Sequence, residues 1–238
     1  MTLTVAIQNK QFANGNCAIR DLSFTARPGE FLAIVGPSGA GKTTLLKIIS
    51  GLDTAFEGQL QLPSAGKVGF MFQEPRLMPW LTVAQNLCLV DKTATGAKLA
   101  ESLAKVGLKD CADLFPNQLS GGMQRRVALL RAFSVAPQLL LMDEPFQSLD
   151  APTADQLRAH LLELWQDTKP TVLFVTHNLQ EALALADRVL FLSPGPSRIA
   201  LDLPLELPRP RNVDSPAVQS LAQQLLRTYP NLLKGRVD

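Results

Sequence analysis

The chain is short of cysteine, has no excess of either charge and contains no long apolar run. Each shortage excludes a class of protein. Its three cysteines, Cys17, Cys88 and Cys111, are widely spaced in 238 residues and form no CxxC pair. They therefore give no metal or redox site, and they read as reduced, partly buried thiols. No apolar stretch approaches the roughly 20 residues that a membrane span needs. The opening residues MTLTVAIQNKQF lack a basic segment followed by an apolar one, so no signal peptide is expected. Lys plus Arg is 23 and Asp plus Glu is 21, a net charge of +2. That balance gives no electrostatic basis for a nucleic-acid binder. There is no internal repeat or low-complexity tract. What is left is an ordered chain, long enough for one α/β domain with a smaller subdomain. Any membrane association is expected to come through a partner.

Short β-type runs alternate with helical patterns. Phe31 to Val35, Val68 to Phe72, Leu139 to Asp143, Thr171 to Thr176 and Arg188 to Ser193 read as strands. Several are apolar without alternation, as expected for strands covered on both faces. Helices are expected over Lys42 to Leu52, Gly121 to Val135, Thr153 to Asp167 and Asn178 to Ala186. The last opens with Asn178 and Glu181 in a capping-box spacing. This alternation implies an α/β fold with a mostly parallel sheet and crossover helices. Antiparallel strands are expected up to about Ile19. From Pro75 to Leu119 no strand is expected, and Leu99 to Val106 is helical. A helical subdomain, about residues 75–135, is thus inserted into a single domain spanning 1–238. Pro204, Pro208 and Pro210 punctuate an extended segment that opens a C-terminal extension, 204–238, with a helix over Ser215 to Tyr229.

Gly36-Pro37-Ser38-Gly39-Ala40-Gly41-Lys42-Thr43-Thr44 matches the P-loop pattern G-x-x-x-x-G-K-[ST]. It follows a strand and opens a helix, the context that gives the motif its meaning. The glycines let the backbone aim N–H groups at phosphate oxygens, and the helix N-terminus favours an anion. Lys42 supplies a charge to the β- and γ-phosphates, and Thr43 offers a hydroxyl to Mg²⁺. Leu139 to Glu144 is an apolar run ending in two carboxylates, similar to a Walker B strand. Asp143 is the expected Mg²⁺ ligand and Glu144 the general base acting on water.

Leu119-Ser120-Gly121-Gly122-Met123-Gln124-Arg125-Arg126 resembles the LSGGQ signature of ABC ATPases. It opens a helix and so offers a second anion site. A second anion site on one chain fits a partner's nucleotide, and the resemblance implies a head-to-tail homodimer with ATP between the copies. The same resemblance assigns Gln73 to the Q-loop, touching Mg²⁺ and water, and Asp150 to the D-loop. His177 corresponds to the switch histidine at the γ-phosphate. Phe12 stands where the family stacks an aromatic on adenine; a core phenylalanine is the other reading. His160 matches no motif and is read as structural.

The resemblance runs from about Val5 to Arg211. Gln73 to Val83 and the tail Leu207 to Arg211 are similar to the nitrate/sulfonate/taurine importer group. It implies ATP and Mg²⁺ as cofactors. It also implies a transmembrane permease as partner, an extracytoplasmic solute-binding protein acting indirectly, and a peripheral location on the cytoplasmic face of the inner membrane. Glu74 to Trp80 lies in the segment that receives the permease's coupling helix in that family; Trp80 is either an exposed docking residue or a core tryptophan. Met123 and the order Gln124-Arg125 depart from the usual signature. So do Leu130 and Phe133, where alanine and leucine are usual. The expected function is an importer ATPase for a small solute: nitrate, a sulfonate, taurine or a thiamine-precursor pyrimidine. The alternative is a soluble ABC ATPase acting on ribosomes or DNA. Those proteins carry two cassettes or a long coiled-coil insertion, and this sequence has neither. A binding module with a dead site is disfavoured by the complete set Lys42, Gln73, Glu144 and His177.

Overall fold

Three of the expected strands form with the bounds read from their apolar runs: β3 (Phe31–Val35), β6 (Leu139–Asp143) and β7 (Thr171–Thr176). Every residue in all three is buried, which is why no alternation appears in their sequence. The computed structural model describes residues 2–62 and 66–237. The other strands are β1 (Leu3–Gln11), β2 (Cys17–Ala26), β4 (Glu57–Gln61), β5 (Val68–Met71), β8 (Arg188–Leu192) and β9 (Ile199–Pro204). The helices are α1 (Lys42–Ile49), α2 (Val83–Cys88), α3 (Gly96–Lys105), α4 (Gly121–Ser134), α5 (Ala151–Thr168), α6 (Leu179–Leu185) and α7 (Pro216–Thr228).

Two sheets result. The first is antiparallel, in the order β2-β1-β4. It takes in the expected N-terminal strands, with β2 continuing past Ile19 to Ala26. Its register shifts between Lys10 and Gln11. Lys10 is buried, with its ammonium held by Asp53 at 2.7 Å and by the Ala55 carbonyl at 2.8 Å. The second sheet has six strands in the order β5-β6-β7-β3-β8-β9. β3 is parallel to β7 and β8, and β9 is antiparallel to β8.

Chain contacts divide the molecule into two compact units. One comprises the described residues of Met1–Ala65, Leu141–Asp143 and Thr171–Asp238. The other comprises Gly66–Leu140 and Glu144–Pro170. Within the first, α7 turns Val218, Ala222 and Leu225 inward and packs on α6. The strap before α7 closes on the C-terminal end of α6. Arg209 donates to the Leu185 carbonyl and the Asp187 carboxylate, and Arg211 donates to the Ala186 carbonyl. Cations are favoured at that end of a helix. Within the second, α2, α3, α4 and α5 form a helical cluster.

Candidate active site

Strand register sets the site of the first unit. Val35 is the last residue of β3, and it pairs with Thr176, the last of β7. Gly36 and His177 therefore leave neighbouring parallel strands at the same level. Ligands of open α/β sheets bind at such carboxyl ends. The loop from Gly36 turns tightly, with the Ala40 N–H donating to the Pro37 carbonyl at 3.2 Å. Gly39 and Gly41 have φ of 78° and 72°, a region costly for residues with a Cβ. Ser38 and Gly39 are exposed, while Ala40 is buried. α1 begins directly after Gly41, and its first internal bond runs from the Leu45 N–H to the Gly41 carbonyl at 2.8 Å. The amides of Thr43 and Thr44 precede that bond, where a helix offers donors to an anion.

Lys42 is buried, and its ammonium donates to the Gly36 and Pro37 carbonyls at 2.8 and 3.0 Å. The Thr43 hydroxyl donates to Asp143 Oδ1 at 3.1 Å. A hydroxyl and a carboxylate so placed are hard oxygen donors of the kind Mg²⁺ takes beside nucleotide phosphates. Phe12 is 40% exposed at the turn between β1 and β2, so the core reading does not hold. The Lys10 ammonium lies 5.2 Å from its ring centroid.

His177 is exposed, in a turn braced by the expected Asn178 cap and by two hydrogen bonds of Thr176 that the sequence does not signal. The Thr176 hydroxyl accepts from the Asn178 N–H at 3.0 Å and donates to Glu181 Oε2 at 2.8 Å. The Asn178 side chain accepts from the Glu181 N–H at 3.2 Å and caps α6. Such a cap contributes about 1 kcal/mol.

The second unit carries the remaining candidates. Ser120 caps α4 by accepting from the Met123 N–H at 3.2 Å. Gly121 is exposed and Gly122 buried. Asp150 caps α5, accepting from both the N–H and the hydroxyl of Thr153 at 2.9 Å. Those two bonds hold its carboxyl below the usual carboxylate range. Glu144 has φ of 45°, a left-handed conformation unusual for a side chain of this kind. Gln73 donates through its amide to the side-chain oxygen of Gln147, a partner with no signal in the sequence.

Trp80 is 70% exposed, which decides between its two readings. The loop beneath it is fixed by Asn86, a fully buried residue. Asn86 accepts from the Met78 N–H at 2.8 Å and donates to the carbonyls of Met78, Leu81 and Thr82. His160 is half-buried beside Arg126 and Glu163, and burial lowers its pKa.

Residues 19–147 match the ABC transporter family profile. The chain is 39% identical to an aliphatic sulfonates import ATP-binding protein of Bacillus licheniformis, over 96% of this chain and 94% of that one. It is 47% identical to a protein of the same description from Pseudomonas fluorescens, over 92% and 83%. Among solved structures it is similar to an ATP-binding cassette in a dimeric post-hydrolysis state with ADP and Pi. The TM-score is 0.73 at 29% identity, covering 87% of this chain and all of that one. A dimeric bacterial ABC transporter cassette matches with the same TM-score at 30% identity. Among the described residues no helix is long and apolar enough to cross a membrane. The chain belongs to the ATP-binding proteins of the ABC transporter family, as an ATPase that couples ATP hydrolysis to transport.

Proposed function

We propose that the chain powers import of aliphatic sulfonates, as a homodimer on the cytoplasmic face of the inner membrane. The observation that carries this reading is near full-length similarity to two aliphatic sulfonate import proteins, at 39% and 47% identity. Dimeric cassettes of the same fold support the homodimer. A transmembrane permease is the direct partner, with an extracytoplasmic solute-binding protein beyond it. The permease would dock on the Glu74 to Trp80 segment, where an exposed tryptophan on a rigid loop suits a hot spot.

In this reading the backbone N–H groups of the Gly36 to Thr44 loop other than Pro37, which has none, and Ala40, which bonds within the loop, hold the phosphates with the Lys42 ammonium, and Phe12 stacks on adenine. Thr43, Asp143 and Gln73 would hold Mg²⁺, which supplies charge neutralisation at the phosphates. Glu144 accepts the proton of the attacking water, and His177 donates toward the γ-phosphate. Ser120, Gly121, Gly122 and Asp150 face the nucleotide of the second copy. Differential affinity of the closed dimer for ATP provides the free energy that shifts the permease.

Uptake of a radiolabelled alkanesulfonate by cells lacking the chain tests this. Wild-type chain should restore uptake, and Lys42→Ala should not. Unimpaired sulfonate uptake in the deleted cells, with loss of another solute's uptake, would overturn the substrate assignment.

A further inference from the structure

The three arginines of α4 all donate to backbone carbonyls, and two of them, Arg125 and Arg131, do so near candidate catalytic groups of their own unit. Arg131 donates from Nη1 to the Arg76 carbonyl and from Nη2 to the Pro75 carbonyl, each at 2.8 Å. Arg125 donates from Nη1 to the Pro145 carbonyl at 3.0 Å, on the residue that follows Glu144. Burial lowers the pKa of both guanidiniums, yet an arginine stays charged under all ordinary conditions. The segments they hold are not relaxed. Arg76 has φ of 48° and Glu144 φ of 45°, and such residues persist only where their surroundings over-determine them. β5, which leads into Gln73, rests directly on the same helix: a Cβ on Gly69 would lie 2.3 Å from the Ala132 carbonyl oxygen.

We propose that α4 is a rigid tie-bar coupling the Pro75–Arg76 backbone to Glu144, with Arg131 and Arg125 as its positioning residues. This rests on the reading of Glu144 as general base. A carbonyl is a fixed target whatever its residue's side chain does, so a shift of the segment after Gln73 reaches α4 through Arg131. The far end of the link is the carbonyl of Pro145, and a small misplacement of a general base costs rate, not binding. Arg125 stands at the inverted Gln124-Arg125 pair. Gln124 is occupied separately, donating to the Pro116 and Leu119 carbonyls.

Steady-state ATPase kinetics, fluorescent-nucleotide titration and thermal midpoints of Arg125→Gln, Arg131→Gln and the double variant test the proposal. Each single variant is expected to lose about tenfold in kcat with KM for ATP changed less than about twofold, the pattern of lost transition-state placement. Arg125→Lys should recover most of the rate, while Arg131→Lys, with one donor point in place of a fork, should recover little. The double variant should fall no further than the worse single one, since both break one link. Normal kcat in either single variant, or losses that multiply in the double one, would overturn the tie-bar. So would a KM that rises in step with a falling kcat. If Arg131→Gln does not fold, Arg131→Lys carries the same expected loss, and if Arg125→Gln does not fold, Arg125→Met takes its place. Glu144→Gln in the otherwise wild-type chain separates the two ideas. Turnover there sinks the general-base reading; a dead Glu144→Gln beside a normal Arg125→Gln sinks only the tie-bar.

Discussion

Alanine at Gly122 would place its Cβ 2.4 Å from Cγ2 of Thr153, whereas alanine at Gly121 would meet nothing within 4 Å. The adjacent glycines of one turn should therefore respond in opposite ways. Relief at Gly122 requires Thr153 to rotate about χ1, which breaks its hydroxyl bond to Asp150, or requires α4 to move off α5. Overpacking of this kind costs about 1–3 kcal/mol. Better helix propensity returns at most about 1 kcal/mol. At mid-range the net is about 1 kcal/mol of destabilisation, or roughly 2–4 °C in Tm for a chain of this size. Gly121→Ala should leave stability unchanged or raise it by up to about 1 kcal/mol, yet lower ATP turnover by at least about tenfold if the turn approaches phosphate. Urea and thermal midpoints report the first quantity and steady-state ATPase the second. Adding Thr153→Ser to Gly122→Ala removes Cγ2, keeps the hydroxyl, and should restore most of the lost stability. Equal stability of the two alanine variants, or no rescue by Thr153→Ser, would refute the steric account.

Three further expectations follow from local geometry. The pKa of His160 is lowered by burial, so the unfolded chain binds the extra proton first as pH falls below about 6.5, and stability is lost there. His160→Gln should flatten that loss in urea midpoints taken between about pH 7.5 and 5.5; an unchanged slope contradicts it. Lys169 ends α5 with φ of 44°, so Lys169→Gly should gain about 0.5–1 kcal/mol, and a lower unfolding midpoint would show that the side chain contributes more than its backbone costs. Thr43→Val removes the hydroxyl beside Asp143. It should weaken the Mg²⁺ dependence of turnover by about 10–100-fold while leaving metal-free nucleotide binding intact, and equal metal dependence would remove Thr43 from the metal set.

The buried strands were the legible part of the fold. β3, β6 and β7 are short runs with apolar interiors, buried along their whole length, and burial on both faces leaves little else for them to be. β4 was missed because EGQLQ is polar and almost wholly exposed, so neither alternation nor hydrophobicity marks it. β9 reads as merely extended because its closing Pro204 and mixed polarity suit an edge. α2 has six residues, too few for a period to show, yet Thr82 and Gln85 form a reciprocal capping box that the sequence already carried. At the site, the glycine spacing and the Asp143-Glu144 pair were legible because each motif is local. The Asn178 cap of α6 was legible too, from its spacing to Glu181; the turn of the Glu181 carboxylate to the Thr176 hydroxyl, the Gln147 partner of Gln73, and the backbone clamps of Arg125 and Arg131 were not. Those depend on which carbonyl or side chain folding brings near, and no local pattern records that.

The most direct test of the central claim is ATP turnover by the purified chain, measured together with its mass in solution by light scattering, for wild type and Glu144→Gln. Wild type should hydrolyse Mg²⁺-ATP. Glu144→Gln should bind ATP, show no measurable turnover and accumulate as a dimer only when ATP is present. Wild-type turnover in Glu144→Gln, or a variant that binds ATP and stays monomeric, would contradict the account of an ATP-closed dimer that opens on hydrolysis.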